Sequence, residues 1–253
     1  MTQTELKEIK SAFRREIDDD RERGFDRVRQ LQIAAEQLRH LRQMWPEEWR
    51  RVSEVVQYGN LAGPEHRGVR EFKLRIAREI RSADESVDHL TTVSFVSARV
   101  AHQMVDQRKR RVVRGQLRSK AFGHEHSVPV DVILRILVDH ENVSADPYEI
   151  LSALSLRALL HREEISQIDK RFKSSLPLEV AFRPFASMGL RTLPLRMFGL
   201  ARYHAAVPGL IDNLIPINQR AERLLEEFRS MIVRGLPGQP EPTMCFLPES
   251  VIP

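Results

Sequence analysis

The chain has 253 residues, 42% of them hydrophobic, so it is long enough and apolar enough to bury a substantial core, which excludes a disordered protein. Its 40 basic and 35 acidic residues leave a net charge of +5, and its single cysteine excludes an intramolecular disulfide and a zinc site built from several cysteines. We find no apolar signal core and no run of about 18 uncharged apolar residues, so we expect a cytoplasmic protein without a membrane span.

The opening segment is predicted to form long amphipathic helices. Residues 4–44 carry apolar side chains at spacings of three and four, and Gly24 interrupts this pattern, so we expect a break or kink there. Pro46 suits the first turn of a following helix that reaches about residue 57. Pro64 opens another helix, which reaches about residue 80.

Residues 87–113 permit two interpretations. Apolar side chains recur at helical spacing through this segment, yet residues 91–96 are of types that favour strands. We choose a helix, because residues 82–85 have the spacing of a capping box that would begin it. If unbroken to residue 120, this helix would be roughly 55 Å long and would carry its last turns into solvent.

The remainder of the chain is predicted to form shorter elements. We expect a loop at residues 121–128, helices over 129–140 and 162–173, and a helix that Asp146 caps. Residues 178–182 can form a short strand. Four prolines break residues 184–217, which we interpret either as short helices and turns that cross the core or as an apolar surface that faces a partner.

We therefore predict a mainly α fold in which an N-terminal long-helix segment precedes a compact helical domain with a Pro-rich irregular region. An amphipathic helix over residues 217–233 closes the compact part. The predicted regions are residues 1–120, residues 121–235 and a Pro-rich tail, 236–253.

The strongest functional signal is a basic cluster within residues 107–120, where seven of fourteen side chains are cationic and none is acidic. Residues 1–120 hold 26 Lys and Arg against 19 Asp and Glu, whereas residues 121–253 hold 14 against 16, so the positive charge is local. On a helix, these cations would form one face able to bind phosphates. The cluster comprises Arg108, Lys109, Arg110, Arg111, Arg114, Arg118 and Lys120.

Three other interpretations of the basic cluster stay open. It can bind an acidic protein partner, form a solvated helix end, or pair with the acidic groups of residues 16–22. Within that acidic stretch, we predict that the run Asp18, Asp19 and Asp20 lies on a solvated helix face and not at a metal, because successive helical residues point about 100° apart.

A weaker signal is a helix-turn-helix unit within residues 130–173. Its last helix, residues 162–173, would read the nucleic acid, with Lys170, Arg171 and Lys173 able to reach phosphates. The tight turn would have to lie at residues 155–157 or 160–161, although neither contains glycine.

The sequence offers no specific catalytic constellation. It has no phosphate-binding glycine loop, dinucleotide fingerprint or nucleophile elbow. A metal-dependent hydrolase would have to use His124, His126 and His161, with the acidic groups near His140, but their spacing is not that of a helical zinc motif. We therefore predict no catalytic residues, no metal and no cofactor.

We conclude from the sequence that the chain is a non-catalytic protein that binds DNA or RNA through the phosphate backbone, alone or as a subunit of a nucleoprotein complex. The alternative is an adaptor or assembly protein, a homo-oligomer included. It would use residues 184–217 and the heptad-like seam of the N-terminal helices. That seam consists of Val28, Leu31, Ala35, Leu38 and Trp45.

Overall fold

The computed structural model describes residues 2–58, 67–82, 89–138, 146–174, 176 and 194–233, except for the side chains of Gln57, Tyr58, Arg118 and Val233. Several predicted features lie wholly or partly outside these residues. They are the capping box over residues 82–85, the acidic and histidine groups at 139–141, the strand at 178–182 and the tail from residue 236.

Four helices open the chain, and the first three begin and end close to their predicted limits, whereas Pro64, predicted to open the fourth, lies outside the described residues. Thr2 and Glu5 form a capping box at the start of the first helix, and Asp26 Oδ1 accepts the Val28 amide at 2.9 Å at the start of the second. Gly24 lies between them with φ 89°, which confirms the predicted break. The helices are α1 (Gln3–Glu22), α2 (Arg27–Met44), α3 (Pro46–Tyr58) and α4 (Arg67–Ser82).

The single long helix predicted over residues 87–113, which could extend to residue 120, is wrong. The tendency of residues 91–96 to form a strand prevails, because Phe95 and Val96 are fully buried between two neighbouring strands. The segment instead forms β1 (Phe95–Ser97), α5 (Ala98–Met104), β2 (Val105–Asp106), β3 (Arg111–Val112) and a 3₁₀ turn (Arg114–Arg118).

The rest of the described chain alternates short helices with strands. Asp146 Oδ1 accepts the Tyr148 amide at 2.9 Å, as predicted for the cap of its helix. These elements are β4 (Phe122–His126), α6 (Val130–Val138), α7 (Pro147–Leu154), β5 (Arg157–His161), α8 (Arg162–Phe172), α9 (Phe198–Ala206), α10 (Leu210–Asn213), β6 (Leu214–Pro216) and α11 (Gln219–Val233).

Four of the strands form a central sheet that the sequence analysis did not foresee. Its order is β4-β5-β1-β6; β1 runs parallel to β5 and antiparallel to β6, while β4 and β5 are antiparallel. The strands are only three to five residues long. The mainly helical fold is nevertheless confirmed.

Each face of the sheet is covered by its own hydrophobic core. Successive strand residues point to opposite faces, and accordingly Leu159 belongs to one core and Leu160 to the other. The first face packs against α1 and the β2–β3 hairpin through Phe13 and Val112. Helix α5 also belongs to this first core, through Val100 and Met104. The second face packs against other helices, among them α2, α4, α6, α8 and α9. Residues from both sides of the boundary predicted near residue 121 contribute to both cores, and the division into three regions stays a prediction.

The described part of the Pro-rich region, residues 194–217, is largely buried. Met197, Tyr203 and Leu210 lie in the core, which agrees with short helices that cross it and not with an apolar surface for a partner. Arg202 is also buried: its Nη1 donates to Glu125 Oε1 at 2.8 Å and to the His126 carbonyl at 2.8 Å.

None of the helices in the described ranges combines the length and apolar character needed to cross a lipid bilayer.

Candidate functional site

The basic cluster begins in the turn of a two-stranded hairpin. In β2 and β3, Val105 pairs with Val112 and Asp106 with Arg111. Asp106 Oδ1 accepts the backbone amides of Arg108 at 2.9 Å and Lys109 at 3.1 Å, which is an Asx turn. These bonds place consecutive cations around a tight turn instead of along a helix.

Four consecutive cations, three in this turn and one at the start of β3, are exposed, and we call them the hairpin cations: Arg108, Lys109, Arg110 and Arg111. Within the described residues, Arg110 is the one hairpin cation that forms an ion pair with a carboxylate. Its guanidinium lies 3.6 Å from Glu8, so the pair is loose and solvated. The backbone of Arg110 has φ 49°. Val112, at the base of the hairpin, is only 3% exposed and packs in the core. The tip is therefore solvated while its base is fixed.

Arg114 does not belong to this exposed group. Its Nε lies 2.5 Å from Glu16 Oε2 and its Nη1 2.7 Å from Asp20 Oδ1, while Nη2 donates to the Glu16 carbonyl at 2.8 Å. Burial alone would lower the pKa of Arg114, but its hydrogen bonds to both carboxylates raise it. Pairing of the cluster with the acidic groups of residues 16–22 is thus confirmed for Arg114, whose charge is neutralised.

Asp20 is fully buried, so the prediction of a solvated aspartate run is wrong for this residue. Besides Arg114, its carboxylate accepts the Leu90 amide at 2.9 Å, and His89 Nδ1 lies at 3.4 Å. For Asp18 the predicted solvated position is confirmed, because its side chain is 64% exposed while it pairs with Arg21. Asp20 faces the core because α1 packs against the residues before β1.

The remaining members of the cluster follow the hairpin. The helical face predicted for residues 107–118 does not exist, because a hairpin and a 3₁₀ turn occupy these positions. Lys120 is exposed two residues before β4, whereas the side chain of Arg118 lies outside the described residues.

A groove of about 480 Å³ separates the hairpin from α1. Lys109 and Arg111 face it together with the carboxylates of Asp19 and Asp106, so its charges nearly balance. The pKa of Asp106 is lowered, first by the Lys109 amide that it accepts and also by nearby cations. Two of the four hairpin cations thus face carboxylates across the groove, whereas Arg108 and Arg110 do not line it.

The helix-turn-helix prediction is wrong, because the five-residue strand β5 stands where a tight turn was expected between α7 and α8. The cations predicted on α8, namely Lys170, Arg171 and Lys173, are exposed, and Arg171 Nη1 donates to the Ala205 carbonyl at 2.9 Å.

The structure does not bring these α8 cations together with the hairpin. Ile168 and Phe172 of α8 pack in the core on one face of the sheet, while Val105 and Val112 of the hairpin pack on the other. The two groups of cations therefore lie on opposite sides of the sheet and cannot contact one short stretch of a ligand.

The candidate metal ligands take structural positions. His161 Nδ1 accepts the Glu163 amide at 3.3 Å and caps α8. His124 and His126 lie in β4, and burial, followed by the charge of Arg157, lowers the pKa of His126 to about 3. Within the described ranges, no three His, Cys, Asp or Glu side chains are grouped closely enough to hold a metal ion.

Sequence reasoning missed a second cavity, of about 550 Å³, on the other side of α1. Arg14, Asp18 and Arg21 face it, and their spacing of three and four along α1 was the available signal. Its opposite wall comes from residues 217–220, so no local pattern could reveal that the two segments meet.

No family model, curated protein or solved structure matches this chain. Its function must therefore follow from the chemistry of its own residues.

Proposed function

We propose that the chain is a non-catalytic nucleic-acid-binding protein that contacts the phosphate backbone through the hairpin cations, alone or as a subunit of a nucleoprotein complex. The observation that supports this proposal is the exposure of four consecutive cations at the tip of a hairpin with a buried base. Arg114 is left out of the interface, because two carboxylates of α1 neutralise it.

The chemistry favours phosphate over single carboxylates as the ligand. Nucleic acid presents closely spaced negative charges with condensed counterions, and every phosphate that a cation neutralises releases counterion into solution. Three of the four hairpin cations are arginines, whose planar guanidinium groups match phosphate oxygens with two parallel hydrogen bonds. Phosphate contacts carry no sequence information, so we expect binding to mixed-sequence DNA and RNA alike.

The test is fluorescence anisotropy with a labelled mixed-sequence duplex and a single strand at several salt concentrations. Replacement of Arg108, Lys109 and Arg111 with Gln should weaken binding at low salt roughly tenfold or more and reduce the salt slope for the duplex by about 2.7, because three phosphate contacts are lost. Arg110 is kept, since its φ of 49° and its contact with Glu8 give it a role in the turn.

The matched control replaces three exposed arginines elsewhere, Arg29, Arg51 and Arg223, with Gln. It removes the same net charge but leaves the hairpin intact. Equal losses in both triple variants would show that only total charge matters, and the absence of binding by the unaltered chain at low salt would overturn the proposal.

The adaptor alternative receives less support from the geometry. Leu31, Ala35 and Leu38 of the heptad-like seam are buried within the chain, where α2 packs against α4 and α7. An adaptor would have to use scattered exposed side chains such as Met44 and Leu74, which are 58% and 62% exposed. Light scattering across protein concentrations would reveal self-association through them.

A further inference from the structure

The cavity on the other side of α1 has the construction of a ligand pocket. Its walls come from α1, the start of α2 and the junction of β6 with α11, and further lining residues come from α7 and from the segments just before β1 and β5. Its volume of about 550 Å³ falls within the range of small-molecule sites, which is roughly 300–1,000 Å³.

Cations outnumber carboxylates on its walls. Four arginines line the cavity, against two aspartates: Arg14, Arg21, Arg27 and Arg220, with Asp18 and Asp26. Both carboxylates are already engaged, because Asp26 caps α2 through the Val28 amide and Asp18 pairs with Arg21 at 3.3 Å.

Arg14 and Arg220 lie on opposite walls of the cavity, and nearby carboxylates neutralise their positive charges only in part. Arg14 lies 3.7 Å from Glu222, but Glu222 is in closer contact with Lys10. Arg220 donates to the carbonyl of Ser152, which carries no charge, and no carboxylate in the described ranges forms an ion pair with it. An anion between Arg14 and Arg220 would interact with both.

The floor of the cavity is fixed and polar. Ser94, only 2% exposed, lines it, and its Oγ accepts from Arg27 Nη1 at 3.4 Å. Arg27 Nη1 also donates to the Thr92 carbonyl at 2.9 Å. At one wall the 15-residue helix α11 begins, where Asn218 Oδ1 accepts the Ala221 amide at 2.8 Å, and the positive end of the helix dipole adds to the attraction for an anion.

The remaining lining is apolar and includes one aromatic ring. Leu31, Leu156 and Ile217 are at most 3% exposed and still reach the cavity, and Tyr148 is half-buried beside them. Such a wall can accommodate a flat, weakly polar ring by stacking and by apolar contact.

We propose that this cavity binds a nucleoside phosphate, with the phosphate between Arg14, Arg220 and the start of α11, and the base against Tyr148 and the apolar wall. This inference does not depend on the proposed function, because α1 separates the cavity from the hairpin: Arg14, Asp18 and Arg21 face the cavity, whereas Glu16 and Asp19 face the hairpin.

The test is calorimetric titration of the full chain with adenosine, guanosine, cytidine and uridine monophosphates. We expect at least one to bind, the matching nucleoside without phosphate to bind roughly tenfold more weakly or worse, and Arg14→Gln with Arg220→Gln to weaken binding by a similar factor. Arg223→Gln, on the same helix but outside the cavity, is the matched control and should bind as the unaltered chain does. Circular dichroism and melting curves verify that the variants are folded.

A 5′-phosphorylated trinucleotide distinguishes the source of the ligand. Tighter binding of the monophosphate assigns a free nucleotide, and tighter binding of the trinucleotide assigns the end of a strand; both outcomes support the site. Absence of binding by all four monophosphates at about 1 mM, equal binding of inorganic phosphate, or full affinity after the double substitution would overturn it. The hairpin triple variant should retain nucleotide affinity, and Arg220→Gln should retain duplex affinity, so failure of one proposal leaves the other standing.

Discussion

Gly199 lies where α9 passes the residues that follow β4, and the approach leaves no room for a side chain. A Cβ at this position would lie 2.3 Å from both Cβ and Oγ of Ser127, which is fully buried. Gly199→Ala must therefore displace α9 or the turn, and we expect a loss of about 1–3 kcal/mol in the free energy of unfolding.

Urea denaturation measures this loss, and Gly68→Ala in α4 is the control. Among the residues that the structure describes, no atom lies within 4 Å of a Cβ added at Gly68, so alanine there should leave stability unchanged or raise it by about 0.5–1 kcal/mol. Equal midpoints for the two variants would contradict the close approach of α9.

His126 predicts a pH dependence of stability. Burial, then the charges of Arg157, Arg81, Arg202 and Arg27, lower its pKa from 6.5 to about 3, so the folded chain keeps the imidazole neutral. Below about pH 6.5 the unfolded chain binds a proton that the folded chain excludes. Stability should then fall with falling pH by about 1.4 kcal/mol per unit, or roughly 2 kcal/mol between pH 7 and pH 5.

Comparison of two glutamine variants isolates this contribution. His126→Gln should show a smaller loss of unfolding free energy between those pH values than the unaltered chain, while His102→Gln, at an exposed position, should show the same loss. A His126 variant with an unchanged pH slope would mean that other groups govern the dependence.

At the scale of elements, one guanidinium fastens the end of the hairpin to α1. Arg114 connects to Glu16 and to the buried Asp20, so Arg114→Gln leaves an aspartate carboxylate inside the protein with less compensation. We expect a loss of about 3 kcal/mol in the free energy of unfolding. Chemical denaturation of the variant provides the measurement.

The neighbouring Arg110 supplies the comparison. Its pair with Glu8 spans 3.6 Å and its side chain is 69% exposed, so Arg110→Gln should cost less than about 1 kcal/mol. If both variants lost the same stability, the distinction between a neutralised Arg114 and exposed hairpin cations would fail, and with it the choice of interface.

Helices were predictable where side-chain period and caps agreed. Asp146 begins a helix as its sequence context indicated, and Gly24 separates α1 from α2 as expected, whereas the caps at Thr2 and Asp26 were not predicted. The conformation of the segment around β1 was not predictable, because a strand of only three residues leaves no periodic signal in the sequence. Its burial by β5 and β6 decides its conformation, and only the complete fold supplies those neighbours.

The candidate site was predictable in composition but not in geometry. The density of cations at residues 108–111 identified the exposed tip. Tertiary packing, however, determines the hairpin itself, the ion pair that neutralises Arg114 with Asp20, and the separation of α8 from the hairpin. The cavity between Arg14 and Arg220 depends on contacts between the beginning and the end of the described chain.

For the whole molecule, the sheet separates two groups of exposed cations. The hairpin cations stand on the side covered by α1, and the exposed cations of α8 stand on the side covered by the larger core. A ligand bound at the hairpin would therefore leave α8 free, and any contribution of Lys170 and Lys173 would require a nucleic acid long enough to bend around the protein.

The position of β1 in the sheet also governs when the chain can fold. One neighbour of this strand is residues 157–161 and the other is residues 214–216. Its backbone amides and carbonyls therefore lack their sheet partners until those later segments have been synthesised. Until β6 emerges, the apolar surface of Phe95 and Val96 has an open edge beside it. Newly made chains should accordingly depend on chaperones, or on rapid completion of synthesis, to avoid pairing that edge with one another.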